Sequence, residues 1–82
     1  MYQYLQENDD GSYTTIITPE HMLYPWEVAR CWQIDERKLT DALEAVSTAK
    51  YFYVSRKGKM LRCYRISDIA VVLKNVFDIR IL

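Results

Sequence analysis

The chain has 82 residues, and its 11 basic and 11 acidic side chains leave it formally neutral at pH 7. Half of the residues are hydrophobic and Gly and Pro occur only twice each, which excludes a disordered or collagen-like composition. One domain of this length hides roughly 60–65% of its unfolded surface, so its core is thin.

Neutrality hides a lopsided distribution. Residues 1–49 hold nine acidic and three basic side chains, net minus six, and residues 50–82 hold two acidic and eight basic ones, net plus six. Such a split suggests an anionic partner for the second half, or contact between copies as a homodimer or a head-to-tail assembly. The start "MYQYLQEN" lacks the basic and apolar regions of a signal peptide, and the longest apolar run, "IAVVL", is too short to cross a bilayer. The expectation is a cytoplasmic, reduced protein with no membrane partner. Cys31 and Cys63 make no CxxC and no metal set, so buried free thiols are expected, while spacing alone leaves a bridge between them open.

In chain order, "YQYLQENDDGSYTTIIT" predicts an N-terminal β-hairpin within residues 1–18. Tyr2 and Tyr4 alternate with polar residues, "NDDG" is turn chemistry and "SYTTIIT" is rich in β-branched residues. Thr18-Pro19-Glu20 has the form of a helix start, but Pro25 limits it to one turn over residues 18–23. A better start lies at Pro25, with Glu27 in the first turn and Val28, Ala29 and Trp32 following. Asp35 can cap the next helix, "ERKLTDALEAVSTAK", where Leu39, Ala42, Leu43 and Val46 form an amphipathic stripe. "YFYVSRKGKMLRCYRI" predicts a second hairpin over residues 51–66 with Gly58 at its tip. "SDIAVVLKNVF", residues 67–77, predicts a third helix capped by Ser67 or Asp68. "FDIRIL" alternates, a pattern that allows a closing C-terminal strand.

Two helices within residues 24–49 followed by a hairpin form a winged helix-turn-helix order. Ala29 permits close approach of the helices, and Trp32, Ile34, Leu39 and Ala42 fall at inward-facing offsets. "LYPWEVARCWQIDERKL" resembles the opening of the excisionase and MerR-like winged helix-turn-helix proteins. Leu23, Pro25, Glu27, Val28 and Ala29 match the stretch that starts their first helix, and "YRISDIAVVL" resembles their passage from wing to next helix. The resemblance covers residues 23–73. In this chain Gln33 stands where the turn usually has Gly, and the second helix carries Glu36, Asp41 and Glu44 where a DNA-reading helix usually carries Arg, Asn, Gln or Ser. The implied fold class is α+β: one winged-helix domain over residues 1–82, with the extra N-terminal hairpin.

The wing would hold five cations in twelve residues, "VSRKGKMLRCYR", with no acid among them. Arg56, Lys57 and Lys59 fall at the tip, and Arg62 and Arg65 on the return strand point to opposite faces. Phosphates are the natural partner of such a run, since they supply affinity without sequence information. Solvated blunting of the hairpin end is the plainer alternative. Arg37, Lys38 and Thr40 could enter or flank a major groove. His21 lacks a partner at catalytic spacing and reads as a surface residue, and Trp26 either marks a partner surface or packs partly. With no phosphate loop, nucleophile elbow or metal cluster, the expectation is no enzyme, no cofactor, no metal and no catalytic residue.

Two classes of function follow. The first is a small factor that binds double-stranded DNA, as an excisionase-like protein of a mobile element or a transcription regulator. The second is a protein-interaction module with a protein partner on the same fold, such as a phage-type inhibitor or an assembly subunit.

Overall fold

The computed structural model describes residues 1–46 and 49–82. Its elements in chain order are β1 (Tyr2–Glu7), β2 (Tyr13–Thr18), β3 (Met22–Leu23), α1 (Pro25–Trp32), α2 (Glu36–Ala45), β4 (Tyr51–Arg56), β5 (Lys59–Arg65) and α3 (Ile66–Phe77). The fold is α+β. Five antiparallel strands form one sheet in the order β2-β1-β4-β5-β3, accompanied by three helices. No helix among the described residues is long and apolar enough to cross a membrane.

β1 and β2 form the N-terminal hairpin in continuous register from Tyr2↔Thr18 to Glu7↔Tyr13. Its loop closes with the Asn8 N–H donating to the Ser12 carbonyl at 2.8 Å, and Gly11 takes φ +86°, a conformation that glycine adopts without a Cβ clash. Residues 18–23 do not form even the single helical turn that Pro25 would have allowed. The Thr18 hydroxyl accepts from the Glu20 N–H at 3.1 Å, and the chain then runs extended into β3. β3 pairs with β5 through Met22↔Arg65 and Leu23↔Tyr64. Met22 is buried, and its N–H donates to the Tyr4 hydroxyl at 2.9 Å. Long-range pairing and one tyrosine hydrogen bond thus override a local helix signal that had no room to propagate.

α1 begins with Pro25 at its first position and is capped at its C-terminal end by Gln33, whose φ of +54° turns the chain so that the Ile34 N–H reaches the Ala29 carbonyl at 3.0 Å. This left-handed residue is the usual place of Gly, and Gln33 occupies it at a steric cost of roughly 1–2 kcal/mol. Asp35 caps α2 by accepting from the Lys38 N–H at 3.1 Å. The expected helix-turn-helix span, 24–49, includes residues 47–48, which lie outside the described residues. α2 itself stops at Ala45, with Val46 already extended.

Val28, Ala29, Leu39 and Leu43 meet Tyr64, Ile69, Val72 and Leu73 in the main core, and Ile34 and Ala42 pack against it. Trp32 does not enter this core and is 44% exposed. α1 ends at that residue, and the chain bends through Gln33 to send the smaller Ile34 inward instead. Cys31 is likewise exposed rather than buried, while Cys63 is buried, and both are free thiols.

α3 starts one residue earlier than expected. Arg65 is its extended N-cap, so Ser67 and Asp68 lie inside the first turn. Among the described residues no strand follows α3. Phe77 belongs to α3, Asp78 takes φ +56°, and the Ile79 N–H donates to the Leu73 carbonyl at 3.0 Å. Ile79 and Ile81 then pack on the helical core. The alternation of "FDIRIL" therefore reflects an extended tail laid on helices, not a ladder.

Candidate nucleic-acid interface

β4 and β5 are joined by Lys57 and Gly58, with φ of +50° and +77°. Two consecutive positive φ values are what the tight type I′ hairpin turn requires. This turn sets the register: Arg56↔Lys59, Ser55↔Met60, Val54↔Leu61, Tyr53↔Arg62, Phe52↔Cys63 and Tyr51↔Tyr64. Side chains alternate across the sheet. Phe52, Val54, Arg56, Lys59, Cys63 and Arg65 therefore share one face, and Tyr51, Tyr53, Arg62 and Tyr64 share the other, where the helices pack on Tyr64.

The five cations of the hairpin separate by position. Arg56, Lys57 and Lys59 are exposed at the tip and have no acidic partner within 4.0 Å among the described residues. Arg56 and Lys59 stand directly opposite one another, a like-charge pairing that costs a few tenths of a kcal/mol or more, roughly. The Arg56 guanidinium lies 5.7 Å from the centre of the Tyr24 ring, and Tyr24 stacks on Trp26 at 6.1 Å. Trp26 is 46% exposed, so the tip adjoins an aromatic surface. Tyr2, His21, Tyr24 and Arg56 border a shallow groove of about 200 Å³ on this side. His21 is exposed and meets Tyr2 edge-on at 4.9 Å.

At the base the cations are occupied. Arg62 donates to Glu44 at 3.2 Å and to the Tyr53 hydroxyl at 3.3 Å, with its guanidinium 4.1 Å from the centre of the Tyr51 ring. The Tyr53 hydrogen bond raises the Arg62 pKa, so this cation keeps its proton. Arg65, on the opposite face, lies 3.8 Å from Glu20 and 5.5 Å from the centre of the Phe52 ring. Six residue steps along the strand separate it from Lys59, roughly 20 Å. The Tyr64 hydroxyl is buried without a hydrogen-bond partner, and burial raises its pKa against the opposing pull of Arg62. Burial pushes the Cys63 thiol up to about 11, which keeps it protonated and inert at neutral pH.

α2 divides its candidates too. Arg37 is exposed near the helix start. The Lys38 ammonium sits 5.3 Å from the centre of the Phe77 ring, toward α3. The Thr40 hydroxyl donates to the Glu36 carbonyl at 2.9 Å, the local bond that Thr commonly makes within a helix. Arg37, Thr40, Asp41 and Glu44 follow helical spacing along one side, and Glu44 is the member that reaches β5. The eight residues expected to bind DNA thus do not form one surface. Arg56, Lys57 and Lys59 come together, Arg62 joins α2 through an acid, and Arg65 and Lys38 turn elsewhere.

Tyr51, Tyr53 and Tyr24, the rings that hold Arg62 and Arg56, carry no charge and escaped the sequence reading. Counting outward from the two-residue turn would have found Tyr53 opposite Arg62. The contact with Tyr24 depends on how β3 leads into α1, which no local pattern encodes. Among the described residues no group of three or more His, Cys, Asp or Glu is arranged to hold a metal ion. Comparison with protein-family models, curated proteins and solved structures found no match.

Proposed function

We propose that the chain is a small, non-enzymatic protein that binds double-stranded DNA through the tip of the β4–β5 hairpin, used as the wing of a winged helix-turn-helix. One observation carries the reading: Arg56 faces Lys59 across the ladder with Lys57 beside them at the turn, and no acid neutralises them among the described residues. A fold bears such repulsion most readily where an anion relieves it. Further support comes from the short turn between α1 and α2, from Ala29 buried where these helices meet, and from β3, which ties the hairpin to the start of α1. The three tip cations contact phosphates, and Arg37 flanks the duplex from α2. Base reading by α2 has little to draw on, because Thr40 is engaged with its own helix and Asp41 and Glu44 repel phosphate. Affinity without strong sequence choice is the expected property, which suits an architectural or excisionase-like factor, or a regulator that acts with neighbours.

The test is the salt dependence of binding to random-sequence duplex. Three phosphate contacts predict that log K falls against log salt with a slope of roughly −2.7, from about −0.9 per contact. Substituting Arg56, Lys57 and Lys59 together by Ala should remove most of that slope and weaken all sequences alike. Binding that is absent at low salt, or unchanged in the triple variant, refutes the reading. The acids on α2 and the engagement of Arg62 by Glu44 favour one second reading, a module that docks an acidic protein segment on the same tip. In that case the triple variant loses the protein partner and the wild type ignores duplex.

A further inference from the structure

We infer that β2 is a dimerisation edge: two copies pair β2 with β2 about a two-fold axis at Thr15, joining their sheets into one. Among the described residues β2 is bonded on one side only, to β1. Edges of this kind are normally blunted by a charge, a proline or a bulge. Residues 11–19 contain no charged side chain, and Pro19 comes only after the strand has ended. The other edge is protected, since β3 has two residues and the stretch of β5 beyond it carries Lys59 and Arg62.

The ladder also states which residues are free to pair. Antiparallel pairs alternate between bonded and non-bonded, and the series starts at the bond from the Asn8 N–H to the Ser12 carbonyl. Counting along the register, Thr14, Ile16 and Thr18 spend their N–H and C=O groups on β1. Tyr13, Thr15 and Ile17 therefore direct theirs outward, unpaired among the described residues.

A second copy fits these three positions better than an arbitrary strand does. With Thr15 opposite Thr15 on the axis, Tyr13 of each copy faces Ile17 of the other, so every outward-directed residue meets another and both copies present the same face. Tyr13 and Ile17 are 45% and 65% exposed, and an aromatic opposite a β-branched residue is a favourable cross-strand pair. The absence of charge means that no like charges meet and no ion is desolvated within the paired segment. A register two residues away in either direction leaves one of the three outward positions without its counterpart. Tyr13 already touches Tyr53 edge-on at 6.0 Å, so its ring is held against β4 before any second copy arrives.

The experiment uses the full chain and does not involve the hairpin tip, so it stands or falls apart from DNA binding. Sedimentation over a range on the order of micromolar to hundreds of micromolar should show a reversible monomer–dimer equilibrium, as a small interface implies. Thr15→Pro removes an N–H that β1 does not use, so the chain should stay folded by circular dichroism and become monomeric. Thr15→Lys, which brings two like charges together on the axis, should do the same. In a Cys31→Ser background, Thr15→Cys should cross-link to itself under mild oxidation, because bonded-pair Cα atoms lie ~5.5 Å apart, within disulfide reach. Tyr13→Cys in that background should cross-link far less. A wild-type monomer throughout the range, a folded Thr15→Lys variant that still dimerises, or equal cross-linking at positions 13 and 15 overturns the inference.

Discussion

At the tip of the β4–β5 hairpin, Arg56 faces Lys59 and Lys57 holds the turn, with no acid nearby among the described residues. At its base, Arg62 is held by Glu44, Tyr51 and Tyr53, and Arg65 reaches Glu20 and Phe52. One acid-free stretch thus holds its cations in two different states. The tip leaves its charge unneutralised within the fold among the described residues, which is what the proposed phosphate contact requires. The base uses guanidinium groups as planar, many-donor pieces of structure that stack on rings while bonding to an acid. A count of positive residues measures neither, since what matters is how much of each charge remains unspent after folding.

The largest effect that can sharpen this contrast lies beneath the base. Phe52 is 2% exposed and packs with Tyr4, Met22 and Cys63 on the face opposite the helices. Phe52→Ala should cost about 3–5 kcal/mol, a large share of the stability of so small a domain. Urea unfolding measures it. Ala at Arg56, Lys57 or Lys59 should stay within about 0.5 kcal/mol of wild type in the same assay. A tip substitution as costly as Phe52→Ala would mean that the tip is packed in a way that its exposure does not reveal.

The next effect is at Arg62. Arg62→Ala removes a ring stack, a partly exposed ion pair and the hydrogen bond to Tyr53, and should destabilise by roughly 1–2 kcal/mol. Arg62→Lys keeps the charge but loses the planar fork, so it should recover little of that stability. DNA affinity should change less than twofold in either folded variant. If Arg62→Lys restored binding that Arg62→Ala had lost, the base would be a phosphate contact as well, and the division between tip and base would fail.

Much of this arrangement was legible beforehand, and the rest for stateable reasons was not. Both hairpins, the two paired helices and α3 follow from periodicity, capping and turn chemistry. Gln33 stands in a glycine's place in the helix-turn-helix pattern, and it does take the left-handed conformation. β3 was missed because two residues carry no periodicity and its partner lies some forty positions away. Trp32 fitted the helical spacing of the core, but spacing cannot say that α1 stops there. The tail misled because an extended segment against helices alternates just as a strand does. At the site, alternation separated Arg62 from Arg65, whereas the neutralisation of Arg62 depended on where the last turn of α2 would fall.

The smallest effect tests the tip itself and sets stability against binding. Lys59→Glu turns the like-charge pair with Arg56 into an opposite-charge pair in direct register. A favourable cross-strand ion pair in place of a repulsive one should stabilise the hairpin by roughly 0.2–1 kcal/mol, less at high salt because the pair is exposed. The same change should weaken duplex binding more than Lys59→Ala does, since it removes one phosphate contact, adds a repulsive charge and draws Arg56 toward its new partner. The two readouts therefore move in opposite directions: the denaturation midpoint rises while affinity at low salt falls. A solvated hairpin end with no ligand predicts the first change without the second. A tip whose charges were already relieved by contacts inside the fold predicts neither. Measuring both on one variant separates the three cases, and only the combination of higher stability with lower affinity supports a repulsion kept for an anionic partner.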